Sequence, residues 1–171
     1  MLGGKAQRTA SASGEPLVRL QHDRPEGIDL SKDHAAPEDT VIPLEAEFAM
    51  RNKQQFDQLM GEIADPHSPQ YHRWLTPEEM HARFGETQSQ FDEVLRWLQE
   101  QGFIITDKSY GTNADYIRFK GTIGQIEKAF DVELVTPEYD RYAAKNDPAV
   151  PAKFDGVISR IAGLEEVGPL F

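Results

Sequence analysis

Between Val41 and Phe48 apolar and polar side chains alternate, with Ile42, Leu44, Ala46 and Phe48 on one side and Pro43, Glu45 and Glu47 on the other. A period of two belongs to a strand with one face in a core. The period then changes. Phe56, Leu59, Met60 and Ile63 recur at the spacing of one helix face, with Asn52 as the expected cap and Gln55 at the capping-box position. Asp65 ends that helix, because the residue before a proline is pushed out of the helical region. Thr76-Pro77-Glu78-Glu79 then offers a threonine cap, a proline at the first helical position and a glutamate at the third, predicting a short helix that carries Met80 and Phe84. Thr87 with Gln90 repeats the device ahead of Phe91, Val94, Leu95 and Leu98, and Gly102 supplies a left-handed stop. Phe103 to Thr106 and Tyr116 to Phe119 read as strands joined by a loop in which Gly111 and Asn113 tolerate positive φ. Thr122 with Gln125 caps a further helix with Ile123, Ile126 and Phe130 inward, and Val132 to Thr136 follows as a strand.

With the short helical insert set aside, the order is βαββαβ. It predicts an α+β fold, a ferredoxin-like sandwich in which an antiparallel sheet carries its helices on one face. The other face presents Glu45, Glu47, Tyr116 and Arg118, polar positions that include an aromatic ring. Such a face is either simply solvated or a docking surface for a partner. Residues 1–39 are rich in Gly, Ser, Pro and charge, too poor in apolar surface to offset the entropy of ordering, and read as a mobile N-terminal arm pinned near Leu17-Val18-Arg19-Leu20. The folded domain is expected over 40–164.

Charge narrows the partners. With 29 acidic against 18 basic side chains the net charge is −11, which disfavours nucleic acid and anionic membranes. No apolar run reaches the length of about 18 residues that a spanning helix needs, and the first residues lack the apolar centre of a secretory signal. The chain has no cysteine, which removes disulfides, thiolate metal ligands and cysteine nucleophiles together. Its serines sit in the tail, beside prolines or at helical positions, without a nucleophile elbow. Glu127 and Asp131, four apart, read as surface charge rather than as a proton-transferring pair. His67 and His72 with Asp65 have a spacing that fixes no ligand geometry. His67, His72 and His81 are candidates for pH sensing, weighed against ordinary exposed imidazoles. The residues therefore assign no catalytic group, no metal ligand and no cofactor.

One stretch is more specific. Asp65-Pro66-x-Ser68-Pro69-x-Tyr71-x-x-Trp74-Leu75-Thr76-Pro77-Glu78-Glu79-Met80-x-x-x-Phe84 closely resembles the signature of the activation (pro) domain of the sedolisin, or kumamolisin-type, serine-carboxyl peptidases, relatives of tripeptidyl peptidase. The run Gly121 to Leu134 is similar to that family's helix and strand near the end of the prodomain, and Pro148 to Ala152 with Val157 to Leu164 to its closing segment. The resemblance spans about Val41 to Leu164 in the family's order.

What the resemblance implies is a propeptide that caps a catalytic domain in cis, assists its folding and inhibits it until acid-triggered self-cleavage. The catalytic serine, glutamate and aspartate of that family, and its expected calcium, belong to the peptidase domain; Gly111-Thr112-Asn113 and Gly121-Thr122-Ile123 do not carry the Gly-Thr-Ser serine. Residues 165–171 then begin the linker to a peptidase domain outside this chain, and a secreted location is implied. Of the signature residues, Pro66 and Pro69 stiffen the connection while Tyr71, Trp74 and Leu75 are expected to fold over the gap between helices as a brace. Loss of paired carboxylate charge predicts a looser domain and weaker binding in acid. The alternatives are a free-standing protease inhibitor or binding module of the same fold, and a small enzyme or metal protein on that scaffold.

Overall fold

The computed structural model describes residues 15–21, 34–136 and 142–165. Its centre is a four-stranded antiparallel sheet built from β3 (Val41–Phe48), β4 (Ile104–Ser109), β5 (Tyr116–Thr122) and β9 (Ile158–Ala162), in the order β4-β5-β3-β9. The alternation seen in the sequence sets its two sides. Ile42, Leu44 and Ala46 of β3 and Ile117 and Phe119 of β5 are buried, and the register that pairs Leu44 with Phe119 also pairs Glu45 with Arg118 and Glu47 with Tyr116 on the opposite face.

The buried face is covered by α3 (Gln88–Glu100) and α4 (Ile123–Phe130). Phe91, Val94, Trp97 and Leu98 enter from α3, and Ile123, Ile126, Ala129 and Phe130 from α4. Aromatic rings join the layers: Phe130 lies 5.6 Å from Trp97 and 5.7 Å from Phe103, and Phe103 lies 4.9 Å from Phe119, all centroid to centroid. Offset and edge contacts at such distances add to what burial alone contributes. Trp97, which the expected α3 stripe leaves out, also meets Phe154 of a short 3₁₀ turn at Ala152–Phe154, 5.7 Å away, so the C-terminal segment is part of the core.

The capping signals are realised where the threonines predict them. Thr76, Thr87 and Thr122 each accept from the backbone N–H of the third helical residue, whose side chain returns the bond, at the starts of α2 (Pro77–Phe84), α3 and α4. Asn52 departs from expectation. It adopts left-handed φ 53° before α1 (Lys53–Ala64) and caps nothing with its side chain; its amide reaches the carbonyl of Arg83 instead. Of the expected α1 stripe only Ile63 is fully buried, and Phe56 meets Phe84 edge-on at 5.3 Å, so α1 and α2 form a small layer of their own beside the sheet.

Two further expectations change. The fourth strand of the main sheet is β9; Leu134–Thr136 (β6) joins a separate small sheet, between β2 (His34–Ala35) and β7 (Ala143–Ala144). The first apolar run after α4 is the nearer candidate, whereas β9 buries Ile158 and Ile161 on either side of exposed Ser159 and Arg160, without the strict alternation that marks β3, and lies far down the chain. The arm expected over 1–39 is also not wholly free. Residues 1–14 and 22–33 lie outside the described residues, but β1 (Leu17–Arg19) pairs with β8 (Ala149–Pro151), and Arg19 donates to the carboxylate of Asp131 at 2.5 Å and to the Asp147 carbonyl at 2.8 Å. The expected pin near Leu17 is thus a strand.

The packing predicts that Phe130→Ala, which empties the seam between α4, α3 and the sheet, costs about 3–5 kcal/mol, whereas Thr122→Ala, which removes one cap, costs about 1 kcal/mol. Urea unfolding followed by circular dichroism measures both.

Candidate functional site

The exposed sheet face bears the residues picked out from the alternation. Glu45, Glu47, Tyr116 and Arg118 stand on neighbouring β3 and β5 in two facing pairs. Arg118 donates from Nε to Glu45 at 2.8 Å and from a terminal nitrogen to Asp107 at 3.4 Å, and its guanidinium lies 4.3 Å from the centre of the Tyr116 ring. The Tyr116 hydroxyl donates to Asp107 at 2.9 Å. The bond to Glu45 pushes the Arg118 pKa up, and the bond to Asp107 does the same for Tyr116. Because this network is solvent-exposed it contributes little to folding and fixes a charge pattern on an open surface.

The signature residues build turns rather than a brace. The Asp65 carboxylate accepts from the N–H of His67 at 2.9 Å, and the Ser68 hydroxyl accepts from the N–H of Gln70 at 3.1 Å. Pro66 and Pro69 stiffen this succession, which leads to left-handed His72 at φ 60°. Tyr71 and Trp74 do not fold down: Trp74 is 70% exposed, and Tyr71 stacks on His72 at 3.7 Å. Phe56 and Phe84 bring α1 and α2 into contact without those rings. Leu75 is half-buried, Thr76, Pro77 and Glu79 start α2, and Phe84 is buried at its end.

That end of α2 holds a cluster the sequence did not reveal. His81 is buried with 11% of its side chain exposed, against the expectation of an exposed imidazole. Its Nε2 lies 2.9 Å from Asp115 Oδ2 and 3.8 Å from Glu86 Oε1. Glu86 is 3% exposed and Asp115 8%. Several constraints hold the three together. Arg51 donates its backbone N–H to Phe84 O at 2.7 Å and its Nε to Gly85 O, fixing the turn after α2. The His81 ring rests against Gly85, where a Cβ would come within 2.5 Å of Cδ2, and Tyr110 meets it edge-on at 4.6 Å. Asp115 is held from the other side by the N–H of Gly111 at 3.1 Å and by the N–H and hydroxyl of Thr112, each at 2.8 Å. The cluster opens into a cleft of about 370 Å³ rimmed by Glu45, Glu47 and Tyr116 of the sheet face.

Two carboxyl groups in one buried site cannot both carry charge cheaply. Burial first, then the hydrogen bond shared with Asp115, pushes Glu86 up to about 8. Asp115 is held below its ordinary value despite its own burial, because Glu86, Thr112 and Gly111 donate to it. Burial and the negative charge of Glu86 and Asp115 push Tyr110 up. At neutral pH the site is thus a protonated Glu86 donating to an ionised Asp115 beside the His81 ring. His67, His72 and Asp65 do not converge on a common point; among the described residues the cluster of His, Asp and Glu with that property is His81, Glu86 and Asp115. Glu127 and Asp131 separate: Glu127 accepts from the N–H of Leu134 at 3.1 Å, and left-handed Asp131 pairs with Arg19. The signal for Asp115 was present in Gly111-Thr112-Asn113-Ala114-Asp115, a loop whose Thr and Asp bond each other locally, but nothing in the spacing ties that loop to His81, some thirty residues earlier.

The sign of the Glu86 contribution opposes the acid loosening expected from composition. A folded pKa above the ordinary 4.5 means that stability is fully present below that value and is lost as pH rises through about 8. Asp115, lowered, acts in the other direction, and only below its ordinary 3.8. In chelator-containing buffer, Glu86→Gln, which keeps a donor toward Asp115 but does not titrate, is expected to match or fall below the wild type in melting temperature near pH 5 and to exceed it near pH 9, the gap reflecting a few kcal/mol of avoided buried charge, at roughly 1.4 kcal/mol per pKa unit. Parallel melting curves that do not separate with pH contradict the assignment. Gly85→Ala is expected to displace His81 and lower stability by about 1–3 kcal/mol, read by thermal unfolding.

Comparison with known proteins agrees with the signature. The family described as Pro-kumamolisin, activation domain, matches residues 29–167. The chain is 25% identical over 135 residues to tripeptidyl-peptidase sed1 of Aspergillus fumigatus, covering 78% of this chain and 21% of that protein. It is 29% identical over 132 residues to xanthomonalisin of Xanthomonas sp. strain T-22, covering 75% of this chain and 16% of the relative. Tripeptidyl-peptidase sed4 of Aspergillus fumigatus is 30% identical over 110 residues, 64% of this chain and 17% of that protein. The chain therefore spans about a fifth or less of the length of these relatives. Among the described residues no helix is long and apolar enough to cross a membrane. From signature, fold and match together, the chain belongs to the Pro-kumamolisin activation-domain family, the pro-region of sedolisin-type peptidases rather than their catalytic portion.

Proposed function

We propose that this domain is the propeptide of a secreted, acid-acting serine-carboxyl peptidase, which it helps to fold and holds inactive in cis until acid-triggered processing. The observation that carries the reading is the match to the activation-domain family over residues 29–167, together with relatives whose names are those of tripeptidyl peptidases and xanthomonalisin. The open sheet face supplies a physical route. Glu45, Glu47, Tyr116 and Arg118 form a rigid, pre-paired pattern of charge around an aromatic ring, the kind of surface that selects a complementary partner and excludes others. Covering it with a catalytic domain would remove the Glu45–Arg118–Asp107 network from water and raise its importance. Loss of net negative charge in acid, expected for a chain with 29 acidic side chains, would then weaken an interface built on such charge pairing. Release would follow from weakened docking, with no need for the domain itself to unfold, which accommodates a Glu86 that favours the folded state in acid.

Adding the 171-residue chain to a mature sedolisin-type peptidase tests this. Inhibition is expected near pH 7 and is expected to fade near pH 4. Arg118→Glu, which reverses the central charge, is expected to weaken neutral-pH inhibition by about tenfold or more while barely moving the melting temperature. Absence of inhibition at both pH values would count against the propeptide reading; full inhibition by the reversed-charge variant would count against this face as the docking surface.

A further inference from the structure

We propose that His81, Glu86 and Asp115 form a binding site for one divalent transition-metal ion of the zinc type. The idea is independent of the peptidase reading and departs from the metal-free expectation drawn from the sequence.

Donor geometry comes first. One nitrogen and two carboxylate oxygens lie within 4.8 Å of one another, with His81 Nε2 at 2.9 and 3.8 Å from the two oxygens. Ligands about 2.0–2.2 Å from a shared ion sit a little over 3 Å apart. The observed separations bracket that value, so closing around an ion requires side-chain adjustments rather than a backbone rearrangement.

The second observation concerns unused bonding capacity. His81 Nε2 and Glu86 Oε1 are buried atoms that complete no hydrogen bond, although Nε2 is close to Asp115 in distance. Buried polar atoms without partners are costly, and those facing one another across a small space point to a missing ligand. The ligand is a cation that takes the place of the Glu86 proton, which is released on binding, since two of the three donors are carboxyl groups and the cleft beyond them is rimmed by Glu45 and Glu47.

The surroundings supply orientation. Thr112 occupies Asp115 Oδ1 and Gly111 donates to Oδ2, which fixes the carboxylate with Oδ2 also turned toward His81, as outer hydrogen bonds do for metal ligands. Tyr110 and Gly85 fix the plane of the imidazole. An imidazole with two carboxylates suits zinc and its first-row neighbours, whereas calcium and magnesium ask for more oxygens. Three protein donors leave a fourth position facing the cleft, open to water or to a group from a docked partner. An ion here would tie the end of α2 to the β4–β5 loop, two segments joined otherwise by side-chain packing.

The experiment uses the whole 171-residue chain, stripped with chelator and then titrated with zinc chloride by calorimetry at neutral pH. One equivalent is expected to bind, and zinc at about a hundred times its Kd is expected to raise the melting temperature by roughly 5–10 °C. Cobalt(II) in place of zinc is expected to give visible absorption bands of a low-coordinate site. His81→Ala and Glu86→Gln are each expected to weaken binding by about tenfold or more, while His67→Ala and His72→Ala leave it unchanged; far-ultraviolet circular dichroism establishes that the variants are folded. Should His81→Ala fail to fold, Glu86→Gln and the cobalt spectrum carry the decision. The proposal is overturned if no equivalent binds up to about 0.1 mM zinc, if binding follows His67 and His72 instead, or if calcium displaces the ion.

Discussion

The pairing of β3 with β5 governs this molecule. Seven consecutive residue pairs, from Val41 with Thr122 to Glu47 with Tyr116, fix which side chains meet α3 and α4 and which meet solvent. Because side chains alternate strictly along a strand, one choice of register decides both faces at once. Sliding the pairing by a single residue would turn one of the two strands over, bringing either Glu45 and Glu47 or Tyr116 and Arg118 under the helices and exposing that strand's apolar set. The burial of charge makes that alternative prohibitive. The core and the charged docking face are therefore two outcomes of the same constraint.

The candidate cleft grows from the rim of that sheet. Tyr116 and Glu47 close one strand pair, Asp115 is the residue just before β5, and α2 with the turn after it delivers His81 and Glu86 to the same place. The packing of Phe84 against Phe56 and the grip of Arg51 on the Phe84–Gly85 carbonyls hold that turn against the start of α1. A buried acid pair beside an imidazole thus rests on the small α1–α2 layer, in which only Ile63 and Phe84 are fully buried. Chemistry and packing are distributed unevenly here: the dense seam around Phe130 stabilises, and the looser flank carries the titrating groups.

Local rules were legible in the chain and long-range ones were not. Three threonine capping boxes, the stop at Gly102 and the alternation of β3 are each settled by residues a few positions apart, and each appears where those residues place it. Asn52 shows how such a rule fails: its side chain found a distant carbonyl, and its backbone turned left-handed instead of capping α1. The identity of the fourth strand depends on a choice between two apolar segments that are equally strand-like, decided by which one reaches the edge of β3. His81, Glu86 and Asp115 form a site only after the helix end and the hairpin loop are folded against each other. The exposed pair Glu45 and Arg118 was readable because alternation is itself a statement about faces, whereas burial of a histidine on a short helix depends on what arrives from elsewhere.

The position of β9 bears on how the chain reaches this state. Its partner β3 lies more than a hundred residues earlier, and the pairing of Ala46 with Ile161 completes one edge of the central sheet. Contacts of such sequence separation form only after the intervening chain has been confined, which slows folding relative to proteins made of local contacts. A ribosome emitting this polypeptide would release both α3 and α4 before the edge of β3 finds its neighbour, leaving a row of unpaired amide and carbonyl groups for that interval. Such an edge is open to adventitious strands, so the last strand of the central sheet to be synthesised is also the one that shields the first from aggregation.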